Sequence, residues 1–143
     1  MSQINMTKDE REQFLAGVHV GVLSIPTGGA PLSAPIWYGY EPGGDLHVVI
    51  EAKSRKGGLL NEGTQVSLVA QQEAMPYKYV TIEGTVTDLS PCHDAGAVLA
   101  LAQRYLGEEM GREYADSTPL DGSVRVTIRA DRWLSVDYGK ASG

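Results

Sequence analysis

Leu46-His47-Val48-Val49-Ile50-Glu51-Ala52-Lys53-Ser54-Arg55-Lys56-Gly57-Gly58-Leu59-Leu60-Asn61 is the stretch on which the reading of the fold turns. Leu46 to Ile50 is compact and rich in β-branched residues, which reads as a strand. Leu59-Leu60-Asn61, followed by Gly63, reads as a short helix with a glycine stop. Between them, Lys53-Ser54-Arg55-Lys56 puts three cations and a hydroxyl into four positions of a chain with formal net charge -6. Where a strand hands over to a helix, free backbone N–H groups and the positive end of the helix dipole add to such charge, a combination suited to a phosphate. Arg55 offers a planar fork for two phosphate oxygens and Lys56 a point charge, while Ser54 either caps the helix or donates its hydroxyl. The plain alternative is a solvated loop, the usual place for lysine and arginine.

Working outward from this stretch, short strands and turns dominate. Thr7 and Glu10 have capping-box spacing, so a short helix opens the chain and ends at Gly17. Val18 to Ile25 and Leu32 to Tyr40 form a hairpin around Pro26-Thr27-Gly28-Gly29. In the second strand Leu32, Ala34, Ile36, Tyr38 and Tyr40 share one face, and Pro35 restricts the strand to an edge, an end or a bulge. Leu46 to Ile50 is expected to pair back on this predecessor. Gln65 to Gln72 and Tyr77 to Asp88 are two more strands. Ser90 is read as an N-cap with Pro91 at N1 of the one long helix, whose stripe runs from Ala95 through Val98, Leu101 and Ala102 to Tyr105. Glu108 to Tyr114 adds a turn or two, Asp116 to Gly122 is loop, and Val124 to Ile128 is the last long strand, which Trp133 to Tyr138 extends or follows. Most connections are too short for parallel crossovers, so the expected fold is α+β, mainly β: a six-stranded antiparallel barrel with a few helices.

The chain of 143 residues is one domain, residues 1–143, and its 42% hydrophobic content suffices for one core. The polar start and the lack of any apolar run near the roughly 20 residues that span a bilayer predict a soluble, cytoplasmic protein with no membrane partner. Cys92 stands alone, and His19, His47 and His93 are too scattered to suggest a metal site. A pI near 5.0, with the basic residues confined to one run, argues against nucleic acid.

These features together resemble the pyridoxamine 5'-phosphate oxidase-like, flavin-binding split barrels, which include the flavin/deazaflavin-dependent oxidoreductases. The resemblance runs from Thr7 to about Tyr138. Its most specific part is Ser54-Arg55-Lys56, then Leu60, then Val66-Ser67-Leu68. It implies that Arg55 and Lys56, with Lys53 and Ser54, hold the cofactor phosphate. It further implies that the backbone of Pro35-Ile36-Trp37-Tyr38 lies against the isoalloxazine ring, that Val49 and Ile50 line the same cavity, and that Tyr79 and Trp133 complete the site. Gly39 stands where the oxidases proper place a lysine, and their Arg-rich tail is missing, so the chain is more similar to the shorter deazaflavin-type members.

The resemblance implies a homodimer with cofactor at the interface, where Trp133 acts on the partner's cofactor. The expected activity is hydride transfer between bound coenzyme F420 and a small organic substrate. FMN is the close alternative cofactor, because both share a tricyclic ring and a ribityl phosphate. A carrier that holds F420, a flavin or haem without turnover is the competing class, with His47 as the one candidate haem ligand. No residue stands out as a proton donor.

Overall fold

The computed structural model describes residues 3–92, 96–119 and 121–142. Its first element, α1 (Lys8–Ala16), starts as its sequence dictates. The Thr7 hydroxyl accepts the Glu10 N–H at 3.2 Å while the Glu10 carboxylate accepts the Thr7 N–H at 2.8 Å, so two otherwise orphaned donors are satisfied. Gly17 caps the far end, and Leu15 drives fully into the core.

Six strands follow: β1 (Gly21–Ile25), β2 (Leu32–Ile36), β3 (Leu46–Glu51), β4 (Gln65–Gln72), β5 (Lys78–Pro91) and β6 (Ser123–Asp137). They form one antiparallel sheet in the order β2-β1-β4-β5-β6-β3. Gly39, just past the β2 edge, exchanges backbone hydrogen bonds of 2.8 and 2.9 Å with His47 on the β3 edge. The sheet is thereby curled onto itself, giving the expected mainly-β, six-stranded split barrel. Alternate residues of every strand point inward, so Leu23, Ile25, Leu46, Val48, Leu68, Val80, Ile82, Val126 and Ile128 make a closed apolar interior. The long β5–β6 ribbon bends where its register slips between Glu83 and Gly84. A Cβ at Gly84 would lie 2.5 Å from the Arg129 carbonyl oxygen, so this approach of two backbones admits glycine alone.

Several expectations need correction. β3 does not pair along its predecessor but along β6, and only the Gly39–His47 bridge joins it to the β2 segment. Ser90 and Pro91 are not a helix start: they continue β5, opposite Arg125 and Val124. The Pro91 position is tolerated because it closes the strand. The helix they were expected to open is α3 (Gly96–Leu106), and both Ala95 of its stripe and His93 lie outside the described residues. α2 (Arg55–Leu59) stops at Leu60, before Gly63. α4 (Glu108–Ser117) is a full helix of 10 residues, and Trp133 to Asp137 is continuous with β6. Pro35 sits on an edge strand as its chemistry requires. Among the described residues no helix is long and apolar enough to cross a membrane.

Candidate functional site

The outward residues of β3 and of the segment after β2 are covered by the α3–α4 hairpin, and a cleft of about 690 Å³ opens between them. Its floor is Pro35, Ile36, Trp37, Val49 and Ile50; its roof is Val98 and Leu101 of α3 and Tyr114 of α4. Five of the predicted site residues are therefore brought together. The wall is stiffened by an aromatic stack, with Trp37 and Tyr105 stacked nearly parallel at 5.0 Å and Tyr114 tilted against Trp37 at 5.3 Å. Tyr105 is in turn locked, since its hydroxyl donates to His19 O at 2.6 Å and accepts the Tyr38 N–H at 3.1 Å. Arg104 beside it donates to the Ala16 and Gly17 carbonyls at 3.0 and 2.7 Å, tying α3 to the end of α1.

Tyr38 does not join the cleft. Its side chain is 0% exposed and donates its hydroxyl to Leu15 O at 2.7 Å. Burial pushes the phenol well above its ordinary pKa, so the hydroxyl stays protonated and committed to the core. Strand alternation explains the placement: Tyr38 lies on the inward face with Ile36 and Tyr40, whereas Trp37 is turned outward.

The cationic run forms the corner between β3 and α2, immediately past Glu51 at the end of the cleft. Ser54 is the N-cap: its hydroxyl accepts the Gly57 N–H at 3.1 Å and donates to Glu51 O at 2.6 Å, which leaves it occupied by the turn. Gly57 makes this corner possible, because a Cβ there would lie 2.5 Å from the carbonyl oxygens of both Glu51 and Ala52. With only five residues, α2 contributes little dipole, so the charge at this corner comes from its side chains. Lys53 and Arg55 are exposed and Lys56 is half-buried, and among the described residues none of the three forms an ion pair. Glu51 and Asp121 also line the cleft.

Tyr79 and Trp133 lie elsewhere. Tyr79 packs against Tyr77 at 5.9 Å, next to the Lys78–Asp137 ion pair at 3.9 Å. Trp133 meets Tyr40 edge-on at 6.0 Å, with the Arg11 guanidinium 4.8 Å above its ring. Val124 faces Pro91 at the cationic end of the β5–β6 ribbon, and Trp133 faces Ile82 toward the other. Within one chain neither Tyr79 nor Trp133 lines the cleft, although Trp133 packs on Tyr40, three positions after Trp37.

Sequence reasoning did not identify the roof. Tyr114 is 43% exposed and lines the cleft. Its apposition to Trp37 joins α4 to a strand more than 70 positions earlier, and no local signal marks it. His19 is turned inward, stacked on Phe14 at 4.3 Å with Nε2 2.9 Å from Phe14 O, and burial lowers its pKa. Half-buried Cys92 donates its N–H to Ser123 O at 2.9 Å. Among the described residues no group of three or more His, Cys, Asp or Glu is placed to hold a metal.

A family model described as pyridoxamine 5'-phosphate oxidase matches residues 7–143. Among solved structures, a conserved hypothetical protein from Mycobacterium tuberculosis is 23% identical with a TM-score of 0.76, covering 100% of this chain and 92% of its own. An F420 reductase is 20% identical with a TM-score of 0.69, covering 86% of this chain and 94% of its own. The FAD and heme binding protein from Mycobacterium smegmatis is 18% identical with a TM-score of 0.69, covering 95% and 73%. At these identities the likenesses show the fold. No curated protein matches the chain.

Proposed function

The chain belongs to the pyridoxamine 5'-phosphate oxidase family, and on that premise we propose that it is a cytoplasmic, homodimeric oxidoreductase that transfers a hydride between coenzyme F420 and a small organic molecule. The observation that carries the reading is the adjacency of two features: an apolar, aromatic cleft and, just past its end, three cations without carboxylate partners among the described residues. Such a pair suits a flat ring joined to a phosphate.

In this reading Arg55 and Lys56, helped by Lys53, hold the phosphate, and Ser54 acts by shaping the corner that carries them. Pro35, Ile36, Trp37, Val49 and Ile50 receive the ring. Glu51 and Asp121 offer acceptors to the hydroxyls between ring and phosphate. Val98, Leu101 and Tyr114 keep water from the upper side. The cofactor, when bound, supplies the hydride chemistry, and the protein supplies position and electrostatics. Gly39 stands where the oxidases proper place a lysine, and the Arg-rich tail that grips their substrate phosphate is missing, which turns the reading away from pyridoxamine phosphate. Trp133 and Tyr79 act on the cofactor held by the second copy.

FMN shares the ring and ribityl phosphate and is the alternative cofactor; a carrier without turnover is the alternative class. Titration of the purified protein with F420 and with FMN, followed by fluorescence quenching, is expected to give saturable micromolar binding with F420 the tighter. Absence of binding to either removes the proposal. Tight binding with no oxidation of reduced F420 by quinones or enones above the protein-free rate replaces the enzyme with the carrier.

A further inference from the structure

A second cleft, about 420 Å³ in volume, opens beside the first and is lined by His47, Arg104 and Arg125 together with Glu41 and Asp45. Val49 and Leu101 line both clefts, so the two are neighbouring compartments of one slot beneath α3. Arg125 is the direct cross-strand partner of Val49. Directly opposed residues start about 5 Å apart, so the Arg125 side chain rises from beside the floor of the aromatic cleft.

Three features mark this second compartment as more than surface relief. Among the described residues no carboxylate pairs with Arg125. Arg104 is held by the Ala16 and Gly17 carbonyls and sits over the Tyr38 and Tyr105 rings, adding a fixed positive charge that forms no ion pair among the described residues. His47 is half-buried, with Nδ1 3.2 Å from Thr127 Oγ1, and this contact orients its ring. Both carboxylates of the compartment come from the Glu41 to Asp45 turn that leads into β3. The slot therefore runs from an apolar aromatic half to a half whose strand and helix walls carry cations.

We propose that the compartment around Arg125 and His47 is a subsite for the carboxylate of a planar, apolar substrate whose body lies on the roof side of the Trp37 cleft, between the cofactor ring and Leu101 of α3. Arg125 supplies a two-pronged donor, and His47 supplies a neighbouring ring nitrogen. The substrate class is an aromatic or conjugated carboxylic acid, in contrast to a neutral quinone or ester. This deepens the proposed oxidoreductase reading, and it assigns Arg125 to substrate selection and the Lys53–Lys56 corner to cofactor.

The test separates those two roles. Calorimetric titration of 2-naphthoate and of 2-naphthamide into the protein, with and without saturating F420 or FMN, measures the preference for a carboxylate over its neutral isostere. We expect naphthoate to bind about tenfold more tightly, the order expected for a charge-assisted hydrogen bond at a partly solvated site. Arg125→Gln is expected to bring the ratio to about one and Arg125→Lys to restore part of it, with F420 and FMN affinities unchanged in both. Equal binding of the two probes, no binding of either, or a preference that survives Arg125→Gln overturns the subsite. If Arg125→Gln removes cofactor affinity instead, the division of roles is wrong. Failure of F420 and FMN to bind the unaltered protein falls on the cofactor reading alone, because the naphthoate comparison is also made without cofactor.

Discussion

The two ends of the β5–β6 ribbon are built from the same antiparallel ladder and do different work. At one end Pro91 faces Val124, and the ribbon meets β3, the cationic corner and the covered cleft. At the other, Lys78 faces Asp137, and Tyr77, Tyr79 and Tyr138 pack as an aromatic group with Tyr138 46% exposed. The first end has cations that form no ion pair among the described residues beside an apolar floor; the second has its Lys78 charge paired and its rings mutually packed. Within one chain neither Tyr79 nor Trp133 lines the covered cleft. The contrast explains how Tyr79 and Trp133 can belong to a site they do not touch within their own chain: a second copy would have to deliver them.

The largest effect should come from the cationic end. Replacing Arg55 and Lys56 together by glutamate is expected to lower F420 and FMN affinity by about a hundredfold or more, through loss of charge-assisted bonds and new repulsion. The thermal midpoint should hardly move, because neither side chain is buried or ion-paired among the described residues, and surface substitutions of this kind usually change stability by less than about 0.5 kcal/mol. Retained affinity would make the corner a solvated loop.

The next test asks whether the two ends meet across copies. Trp133→Ala alone is expected to weaken cofactor binding. Mixing that variant with the Arg55/Lys56 double variant, after dissociation and reassembly, should restore about a quarter of the sites if each site takes its cations from one copy and its tryptophan from the other. No recovery in a mixture shown to contain heterodimers would confine the site to one chain.

The ribbon itself can be strained. Gly84→Ala should destabilise by about 1–3 kcal/mol, because its methyl has no room against the Arg129 carbonyl. An unchanged urea midpoint would mean that the bend relaxes freely.

The smallest effect is expected at the terminal clasp, where Lys140 pairs with Glu10. The hydrogen bond from Lys140, then the Thr7 N–H, holds the Glu10 carboxyl below its ordinary value of 4.5. A carboxyl depressed on folding stabilises at neutral pH and loses that contribution as pH falls through its folded value. The thermal midpoint of the native protein should therefore exceed that of Glu10→Gln slightly at pH 7 and converge with it in acid, and a gap that widens in acid would reverse the assignment.

Much of the fold was legible because its causes are local. The Thr7–Glu10 box started α1, Pro35 marked an edge strand, and the alternation in β2 separated Trp37 from Tyr38 by face. That same alternation turns the Tyr38 side chain into the core, so the segment meets the cleft through Pro35, Ile36 and Trp37. Ser90-Pro91 misled because the N-cap signal is equally compatible with a strand end, and pairing with Arg125 and Val124 decided between them. β3 was assigned to the wrong neighbour because register depends on which strand has a free edge, a property of the whole sheet.

By itself, the sequence determined the antiparallel character of the sheet, the cationic corner after β3 and the apolar faces of the strands, since each follows from short-range sterics, turn chemistry or period-two alternation. Only the tertiary structure decided that β3 closes the sheet beside β6, that α3 and α4 roof the Trp37 cleft, and that Arg125 rises beside Val49. These depend on contacts between residues far apart in the chain, where the favourable burial is shared among many partners and no local stretch carries the information.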